Sequence, residues 1–355
     1  MILVCGLLAD AVVELMCARL EDMGLEYFFL DERRYPGAFD VSWEVGPAGV
    51  TGWVAGPDRR VALDDLTGVY IRYVEYRESL EPAAPHVEPE GAGRRDERTQ
   101  QMIRAEFQAS LMQLVDILPC AVVNRAYASI SNDSKLWQGF LARRFGFHTP
   151  RTLATTDPEA ARTFYEACGR RVIFKSLSSV RSIVRPLDKE SLARLDLLPN
   201  CPTQFQEHVE GVDVRVHVVG EEVYPTRIVS EATDYRYAGR QGAEIAMEAT
   251  EIPDDIAAAC IGMCRALGLT VAGIDLLRAP DGRFYCFEAN PSPGFIFYER
   301  ATGQPISEAI ARLLHRGAPA PRAARATDGH PRPPPDARTG RRRHGGPRTK
   351  RRNAS

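Results

Sequence analysis

The chain has 355 residues, of which 44% are hydrophobic and 26% charged, and this composition excludes a fibrous or wholly disordered protein. No apolar run approaches the roughly 20 residues that span a bilayer, and Asp10 and Glu14 interrupt the opening segment, so we expect a cytoplasmic protein without a membrane partner. Residues 317–355 carry eleven of the 45 Lys and Arg but two of the 47 Asp and Glu, so the preceding part is acidic, which argues against a nucleic-acid partner.

The first 125 residues predict an open α/β domain, because they begin with a strand, helix, strand pattern. The expected elements are a strand at 1–8, a helix at 9–23, a strand at 25–32, short antiparallel strands within 40–75, a polar loop at 81–96, a helix at about 97–117 and a strand at 122–123. No GxGxxG follows the first strand, which disfavours a dinucleotide site.

Residues 126–316 predict a second domain with two subdomains, 126–205 and 206–316. The first has a capped helix at 131–146, a helix with Asp157 as N-cap and Pro158 at N1, and a strand at 170–177. The second reads as a mostly antiparallel, α+β sheet with helices on one side, ending in a hairpin that turns at Asp281-Gly282. Residues 317–355 are rich in Pro, Arg, Gly and Ala, so we expect a disordered basic tail.

The hairpin carries the strongest chemical signal. Asp275 lies on its first strand and Glu288 and Asn290 on its second, and the turn brings Asp275 opposite Glu288. Two carboxylates and a carboxamide oxygen on one face of otherwise apolar strands are hard ligands suited to Mg²⁺ that bridges nucleotide phosphates. The alternative without a ligand is an edge hairpin whose polar residues point to solvent. The Pro291-Ser292-Pro293-Gly294 loop that follows argues against this alternative.

The segments GIDLL, FEANPSPG and ATGQPIS resemble the magnesium end of ATP-grasp ligases, particularly RimK-type glutamate ligases and MvdD-like ribosomal peptide maturases. The resemblance spans roughly residues 100–315 and, more weakly, 1–99. It implies an N-terminal pre-ATP-grasp domain followed by a two-subdomain ATP-grasp fold. It also implies ATP as a cofactor, with two Mg²⁺ ions held by Asp275, Glu288 and Asn290.

The same resemblance assigns the nucleotide contacts. Lys135, near the start of a helix, and Lys175, which interrupts an apolar strand, match the lysines that contact ATP phosphates in the family. A lysine at a strand end is often only a solvated charge, but burial of an ammonium here is costly without an anionic partner. The segment that resembles the adenine-binding hinge consists of Gln206, Glu207, His208 and Val209, and the candidates for the ribose hydroxyls are Glu210 and Asp213.

Three arginines are candidates for phosphate or oxyanion binding. Arg215 and Arg236 rank as catalytic candidates above Arg227, which has the character of a surface residue. The loop at 176–184 lacks the glycines that RimK-type ligases have in their flap, although its serines and Arg181 could donate hydrogen bonds instead. A glycine-free Lys-Ser-Leu-Ser loop resembles the peptide maturases.

The leading hypothesis is therefore a ligase that activates a carboxylate as an acyl phosphate and forms side-chain ester or amide crosslinks in a precursor peptide, whose leader segment docks on the enzyme. One alternative is a RimK-type ligase that joins a free amino acid to a small acceptor. Another is a non-catalytic ATP-grasp scaffold, since a fold alone does not guarantee activity. The sequence leaves a homo-oligomer open and does not identify the peptide.

Overall fold

The computed structural model describes residues 1–47, 49–72, 97–177, 184–230 and 245–317. Its strands are β1 (Ile2–Cys5), β2 (Tyr27–Leu30), β3 (Asp40–Gly46), β4 (Gly49–Ala55), β5 (Arg60–Ala62), β6 (Gly68–Ile71), β7 (Ala121–Val123), β8 (Thr152–Thr155), β9 (Val172–Ser176), β10 (Arg185–Pro186), β11 (Thr203–Glu207), β12 (Val212–Val219), β13 (Glu222–Ser230), β14 (Ile245–Ala249), β15 (Val271–Arg278) and β16 (Phe284–Asn290). Its α-helices are α1 (Ala11–Asp22), α2 (Glu97–Ile117), α3 (Ala126–Ser129), α4 (Lys135–Arg144), α5 (Pro158–Ala167), α6 (Lys189–Ala193), α7 (Asp254–Leu267), α8 (Ile296–Thr302) and α9 (Ile306–Arg316).

The first sheet is parallel, with the strand order β2-β1-β6-β7. Every residue of β1 and β6 is buried, as expected for strands that are covered on both faces. Helix α1 packs on one face through Val13 and Met16, and α2 packs on the other through Phe107 and Leu111. The side chain of Asp10 caps α1 by accepting from the backbone N–H of Val12 at 2.8 Å.

The prediction of antiparallel strands for residues 40–75 is correct for β3, β4 and β5, which form a separate sheet. It is wrong for β6, which pairs in parallel with β1 and β7. The physical reason is the composition of β6. Val69, Tyr70 and Ile71 are all apolar enough to be buried on both faces, so the strand takes an interior position in the main sheet.

A second, antiparallel sheet has the order β10-β9-β11-β8. Asp157 caps α5 and Pro158 occupies its first turn, as predicted. The predicted helix at 131–146 is shorter, because α4 begins at Lys135 and residues 130–133 form a 3₁₀ turn. Ser134 precedes α4 without a side-chain capping bond, so the prediction of a capped helix is wrong at that residue.

The third sheet is antiparallel throughout, in the order β14-β13-β12-β15-β16. Val214, Val216 and Val218 of β12 point to α7, which covers one face. The opposite face is not bare, because Val219 and the neighbouring strands pack under residues of α8 and α9 such as Ile310. The prediction of helices on one side is therefore wrong, since apolar residues occupy both faces at this end of the sheet.

Several predictions lie outside the described residues. They concern Arg181 with the loop at 178–183, Arg236, the loop at 81–96 and the tail from residue 318 onward. Met1–Ala323 form one compact unit by their contacts, and the boundary near residue 125 stays a prediction. In the part of the chain that the structure describes, none of the helices combines the length and the apolarity needed to cross a bilayer.

Candidate active site

Asp275, Glu288 and Asn290 lie on one face of the third sheet. The register of β15 and β16 pairs Asp275 with Glu288 and Gly273 with Asn290. Residues two apart on a strand share a face, and directly opposite residues share it too, so the three oxygen-bearing side chains are neighbours. The expected cross-strand pairing is present, and the turn of the hairpin contains Gly282 with a φ of +85°. A register shift between Asp275 and Leu276 makes Phe287 the extra residue of β16 and brings Glu288, rather than Phe287, opposite Asp275.

Two cations contact the two carboxylates. The Arg215 guanidinium donates from Nη1 to Asp275 Oδ1 at 2.5 Å, and Lys135 Nζ lies 3.4 Å from Glu288 Oε2. The four side chains are only 6–17% exposed, so water screens the charges poorly. Contacts therefore bring together four of the predicted site residues, from α4, β12, β15 and β16.

Arg215 is held over the sheet by two features that the sequence analysis missed. Gly273 pairs with His217, two positions along β12 from Arg215, and a Cβ added to Gly273 would lie 2.0 Å from Arg215 Nη2. The guanidinium carbon also lies over the Tyr298 ring, 5.9 Å from its centroid. The glycine of GIDLL thus leaves room for the arginine. The available signal in the sequence was a glycine two positions before Asp275 in an otherwise apolar strand.

His217 is fully buried beside Arg215, two residues along β12. Its ring meets the Tyr298 ring edge-on at 4.7 Å, and neither ring nitrogen has a hydrogen-bond partner among the described residues. Burial lowers the pKa of His217 well below the usual value, and the positive charge of Arg215 lowers it further. The imidazole is therefore neutral, and it adds no second positive charge next to Arg215.

Gln138 fixes the position of β16 from α4. Its amide nitrogen donates to the carbonyl of Ala289 at 2.9 Å, and its oxygen accepts from the N–H of Ala289 at 3.0 Å. Ala289 separates Glu288 from Asn290, so this bidentate contact fixes the position of the strand that bears both residues. The sequence analysis missed Gln138, although a glutamine on the buried face of a helix with Leu141 was a detectable signal.

Lys175 lies on β9, in the second sheet, opposite Gln204 of β11. Gln206 points to the same side, away from the apolar cluster that contains Phe205. The side-chain oxygens of Gln204 and Gln206 are buried, and within the described residues neither has a hydrogen-bond donor. The amide nitrogen of Gln206 donates to the hydroxyl of Thr152 at 3.1 Å. This face of the sheet thus combines a half-buried lysine with acceptors that the described part of the chain leaves without a donor.

The rest of the predicted hinge connects the second sheet to the third. The N–H groups of Glu207 and His208 donate to the carbonyls of Arg151 and Arg171, and Val209 is half-buried. Glu210 is exposed and pairs with Arg171 at 2.9 Å. Asp213 lies farther along, on the same face of β12 as Arg215. Arg227 is exposed and lies 3.6 Å from Glu248, in agreement with its lower rank.

The donor set fits a hard divalent cation, because it offers carboxylate and carboxamide oxygens at low exposure on one sheet face. No cluster of three or more His, Cys, Asp and Glu side chains suited to a metal occurs in the described residues, and the expected set contains two such residues plus Asn290. The Asn290 side-chain oxygen accepts from the N–H of Ser292 at 2.8 Å, which leaves its second lone pair available.

Comparisons with known proteins agree with this architecture. The ATP-grasp ligase PsnB, complexed with a phosphomimetic variant of minimal precursor, Mg and ADP, is 28% identical, with a TM-score of 0.69 over 88% of this chain and 97% of that chain. A RiPP-associated ATP-grasp ligase of Chryseobacterium gregarium, in complex with ADP and a leader and core peptide, is 24% identical, with a TM-score of 0.72 over 90% of this chain and 97% of that chain. At this lower identity the likeness shows the fold alone.

Curated relatives cover less of the chain. Beta-citrylglutamate synthase B of Danio rerio is 27% identical over 225 residues, which are 60% of this chain and 55% of the relative. The N-acetylaspartylglutamate synthase A of Mus musculus is 27% identical over 222 residues, 59% of this chain and 57% of the relative. The chain spans about half the length of these curated relatives.

The predicted ATP-grasp fold is confirmed by these structural matches. The sequence profile of the RimK-like ATP-grasp domain matches residues 137–314, half of the chain. This range contains α4 from its third residue onward, the second and third sheets, and the Asp275 and Glu288 pair, whereas Lys135 lies just before it. The chain therefore belongs to the RimK-like ATP-grasp family.

Proposed function

We propose that the chain is an ATP-dependent ligase that activates a carboxylate as an acyl phosphate and transfers the acyl group to a hydroxyl or an amine. The observation that carries the proposal is the cross-strand pair Asp275 and Glu288, each in contact with a cation at low exposure. Desolvation offsets most of the attraction within a buried ion pair, so two such pairs in one place are better explained by a site for charged ligands than by a contribution to stability.

Asp275, Glu288 and Asn290 are the proposed ligands of two Mg²⁺ ions. Magnesium supplies positive charge that neutralises the nucleotide phosphates. Lys135 and Arg215 hold the two carboxylates in place and would offer their charges to phosphate oxygens when the nucleotide binds. Arg215, which has a fork of N–H donors, is also the proposed donor to the oxyanion that forms at the acyl carbon, with Arg236 as the second catalytic candidate.

The nucleotide contacts follow the family pattern. Lys175 is the proposed second phosphate contact, and the unsatisfied oxygens of Gln204 and Gln206 beside it support a polar ligand on this face. The hinge that binds adenine is proposed to comprise Gln206, Glu207, His208 and Val209. Glu210 and Asp213 are the proposed contacts to the ribose hydroxyls, and Glu210 would exchange its exposed partner Arg171 for the sugar.

The proposed reaction has two steps. A carboxylate oxygen of the substrate attacks the γ-phosphorus of ATP, and ADP leaves with the electrons of the broken P–O bond. The hydroxyl or amine then attacks the acyl carbon and displaces phosphate, which takes the electrons of the broken C–O bond and the proton of the nucleophile and leaves more readily than hydroxide. The net reaction joins the two groups, with ATP converted to ADP and phosphate, and it requires no nucleophilic side chain from the enzyme.

The proposed substrate is a ribosomally made precursor peptide with a leader segment, which receives side-chain ester or amide crosslinks. The similarity to PsnB, whose structure contains a precursor variant, covers 88% of this chain and supports this substrate. The alternative is a RimK-type ligase that adds a free amino acid to an acceptor. Matches to probable alpha-L-glutamate ligases support the alternative, and one of them is 36% identical over 115 residues.

The proposed organisation is a pre-ATP-grasp domain at 1–125, ATP-grasp subdomains at 126–205 and 206–316, and a basic tail at 317–355. A cytoplasmic location and the oligomeric state stay predictions. Incubation with ATP and a candidate precursor peptide distinguishes the substrates by mass spectrometry. A maturase removes one water per link from the peptide, whereas an amino-acid ligase adds the mass of a residue to its acceptor.

Glu288→Gln tests the metal assignment. The substitution removes a charge from the proposed ligand set, so ATP turnover should fall by at least about 100-fold, since even loss of an outer partner of a metal ligand costs ~10–100-fold. Glu248→Gln is the matched control, because Glu248 is an exposed glutamate of the same sheet that pairs with Arg227. Turnover of the Glu288→Gln variant at the control's rate, in a folded protein, contradicts the proposed site.

A further inference from the structure

The direction of the Asn290 side chain depends on the loop that follows it. Asn290 ends β16, and its side-chain oxygen accepts from the N–H of Ser292 at 2.8 Å. An asparagine that bonds to the backbone two residues ahead is oriented by that turn. A shift of the loop from Pro291 to Pro293 therefore rotates the carboxamide. This loop needs an anchor if Asn290 is to hold a fixed direction.

The anchor comes from the opposite end of the sequence. Arg72, which directly follows β6, donates from Nη1 to the hydroxyl of Ser292 at 3.1 Å and approaches the carbonyl of Pro293 at 3.5 Å. Its Nε donates to Asp10 Oδ2 at 2.7 Å. Asp10 is itself fixed as the N-cap of α1. It therefore orients the Arg72 guanidinium through Nε, and Nη1 is directed at the loop.

A second side chain holds the same loop. The Asn124 amide nitrogen donates to the carbonyl of Pro291 at 2.5 Å and to that of Val271 at 2.6 Å. Its oxygen accepts from the N–H groups of Thr270 and Val271. The four bonds satisfy the whole carboxamide, which is buried. The loop is thus fixed at Pro291 by Asn124 and at Ser292 by Arg72, and only the second contact is made to Ser292 itself, the residue whose N–H bonds to Asn290.

We propose that Arg72 is a positioning residue for Asn290, acting through Ser292 within a chain of hydrogen bonds from Asp10 to the carboxamide. This inference rests on the proposed function, in which Asn290 is a metal ligand. Outer partners that orient metal ligands typically contribute ~10–100-fold to metal affinity. Arg72 is 21% exposed in its side chain, so its share should lie at the lower end of that range.

The test is the binding of Mn²⁺ as a probe in the presence of ADP, measured by electron paramagnetic resonance of the free ion, which needs no turnover. Arg72→Met should raise the dissociation constant by about 10-fold. Ser292→Ala removes only the hydroxyl and should raise it severalfold, so it serves if Arg72→Met does not fold. Arg19→Met is the matched control, because Arg19 of α1 also bonds to C-terminal elements, through Glu299 of α8 and Ser307 of α9, and not to the loop in the described residues.

Asn290→Ala separates the two levels of the proposal. If Asn290→Ala leaves Mn²⁺ binding unchanged, the proposed metal site is wrong and the role of Arg72 falls with it. If Asn290→Ala weakens binding while Arg72→Met and Ser292→Ala do not, the role of Arg72 alone is wrong. Equal weakening by Arg72→Met and Arg19→Met also overturns it, because general loosening of the structure then explains the effect. Weakening by Arg72→Met and Ser292→Ala, with Arg19→Met unchanged, supports it.

Discussion

Gly273 leaves space for the guanidinium of Arg215. A Cβ at this position would lie 2.0 Å from Nη2 and 2.4 Å from Cζ of Arg215, which is buried and ion-paired with Asp275. An alanine must therefore push the arginine off the sheet. The displaced guanidinium would leave Asp275 without that contact, in a region where a broken buried pair costs roughly 3–5 kcal/mol.

Gly273→Ala should lower the free energy of unfolding by about 2 kcal/mol or more, within the range for a disturbed buried ion pair. In an Arg215→Ala background the same change should cost well under about 1 kcal/mol, because no guanidinium is there to clash with the new Cβ. The difference between the two costs is the coupling energy of Gly273 and Arg215. Urea denaturation of the four proteins gives this cycle. Gly139→Ala is the control, since its Cβ meets nothing within 4 Å. Additive effects in the cycle would show that Arg215 does not fill the space above Gly273.

Single residues differ in how far the sequence predicts their roles. The two-residue period and a recognisable turn were enough to predict that Asp275 and Glu288 are neighbours, but not the register shift between Asp275 and Leu276 that sets their pairing. The partners of these residues were harder to predict. Gly273 functions through an absent side chain, and the contact between Lys135 and Glu288 joins residues 153 positions apart. Periodicity carries no information about such contacts, which depend on how elements pack.

At the scale of elements, α4 and β16 are joined by one polar side chain. Gln138 is 1% exposed and satisfies both the N–H and the C=O of Ala289, which is fully buried. β16 is an edge strand of the third sheet, so among the described strands none pairs with these backbone groups on its outer side. The glutamine thus acts in place of a neighbouring strand at the position between Glu288 and Asn290.

Gln138→Leu should lower the free energy of unfolding by roughly 2–6 kcal/mol, because two buried backbone groups lose their partner at about 1–3 kcal/mol each. The loss should appear as a lower midpoint in urea denaturation. Gln113→Leu makes the same chemical change at an exposed position of α2 and should shift the midpoint little. Equal midpoints for the Gln138→Leu variant and the parent would mean that water or a rearranged backbone satisfies Ala289.

Elements with a strong local signal were predicted well. The α2 helix has the expected bounds, and α5 has the expected cap, because apolar periodicity and capping residues act within a few positions. The predictions were wrong where tertiary packing determines how an element pairs or what covers it. The parallel pairing of β6 depends on β1 and β7, and the second helical layer on the third sheet depends on residues some 80 positions later in the chain.

At the scale of the whole molecule, two buried titratable groups lie in separate parts of the fold. Glu32 follows β2 of the first sheet, is 1% exposed, and accepts from Gln108 at 3.3 Å. Burial raises the pKa of Glu32 from 4.5 to about 7, and the negative charge of Asp31 adds to this increase. His217 in the third sheet has the opposite character, because burial lowers its pKa well below 6.5.

The two shifts have opposite effects on stability. Between pH 4.5 and about 7 the folded state keeps a proton on Glu32 that the unfolded state releases, so stability falls as pH rises. Below about pH 6.5 the unfolded state binds a proton at His217 that the folded state excludes, so stability rises with pH. Each group contributes a slope of up to about 1.4 kcal/mol per pH unit, and from pH 4.5 to 6.5 the two slopes oppose each other.

Single variants should therefore reveal the opposing slopes. Glu32→Gln removes the contribution to stability that falls as pH rises. The stability of this variant relative to the parent should therefore increase by up to about 3 kcal/mol from pH 4.5 to 7. His217→Leu removes the rising contribution, so its relative stability should increase as pH falls from 6.5 to 4.5. Tm measured by calorimetry at intervals of pH, always as the difference from the parent, cancels the groups common to both proteins. A pH-independent difference for either variant would show that its carboxyl or imidazole has an ordinary pKa in the folded chain.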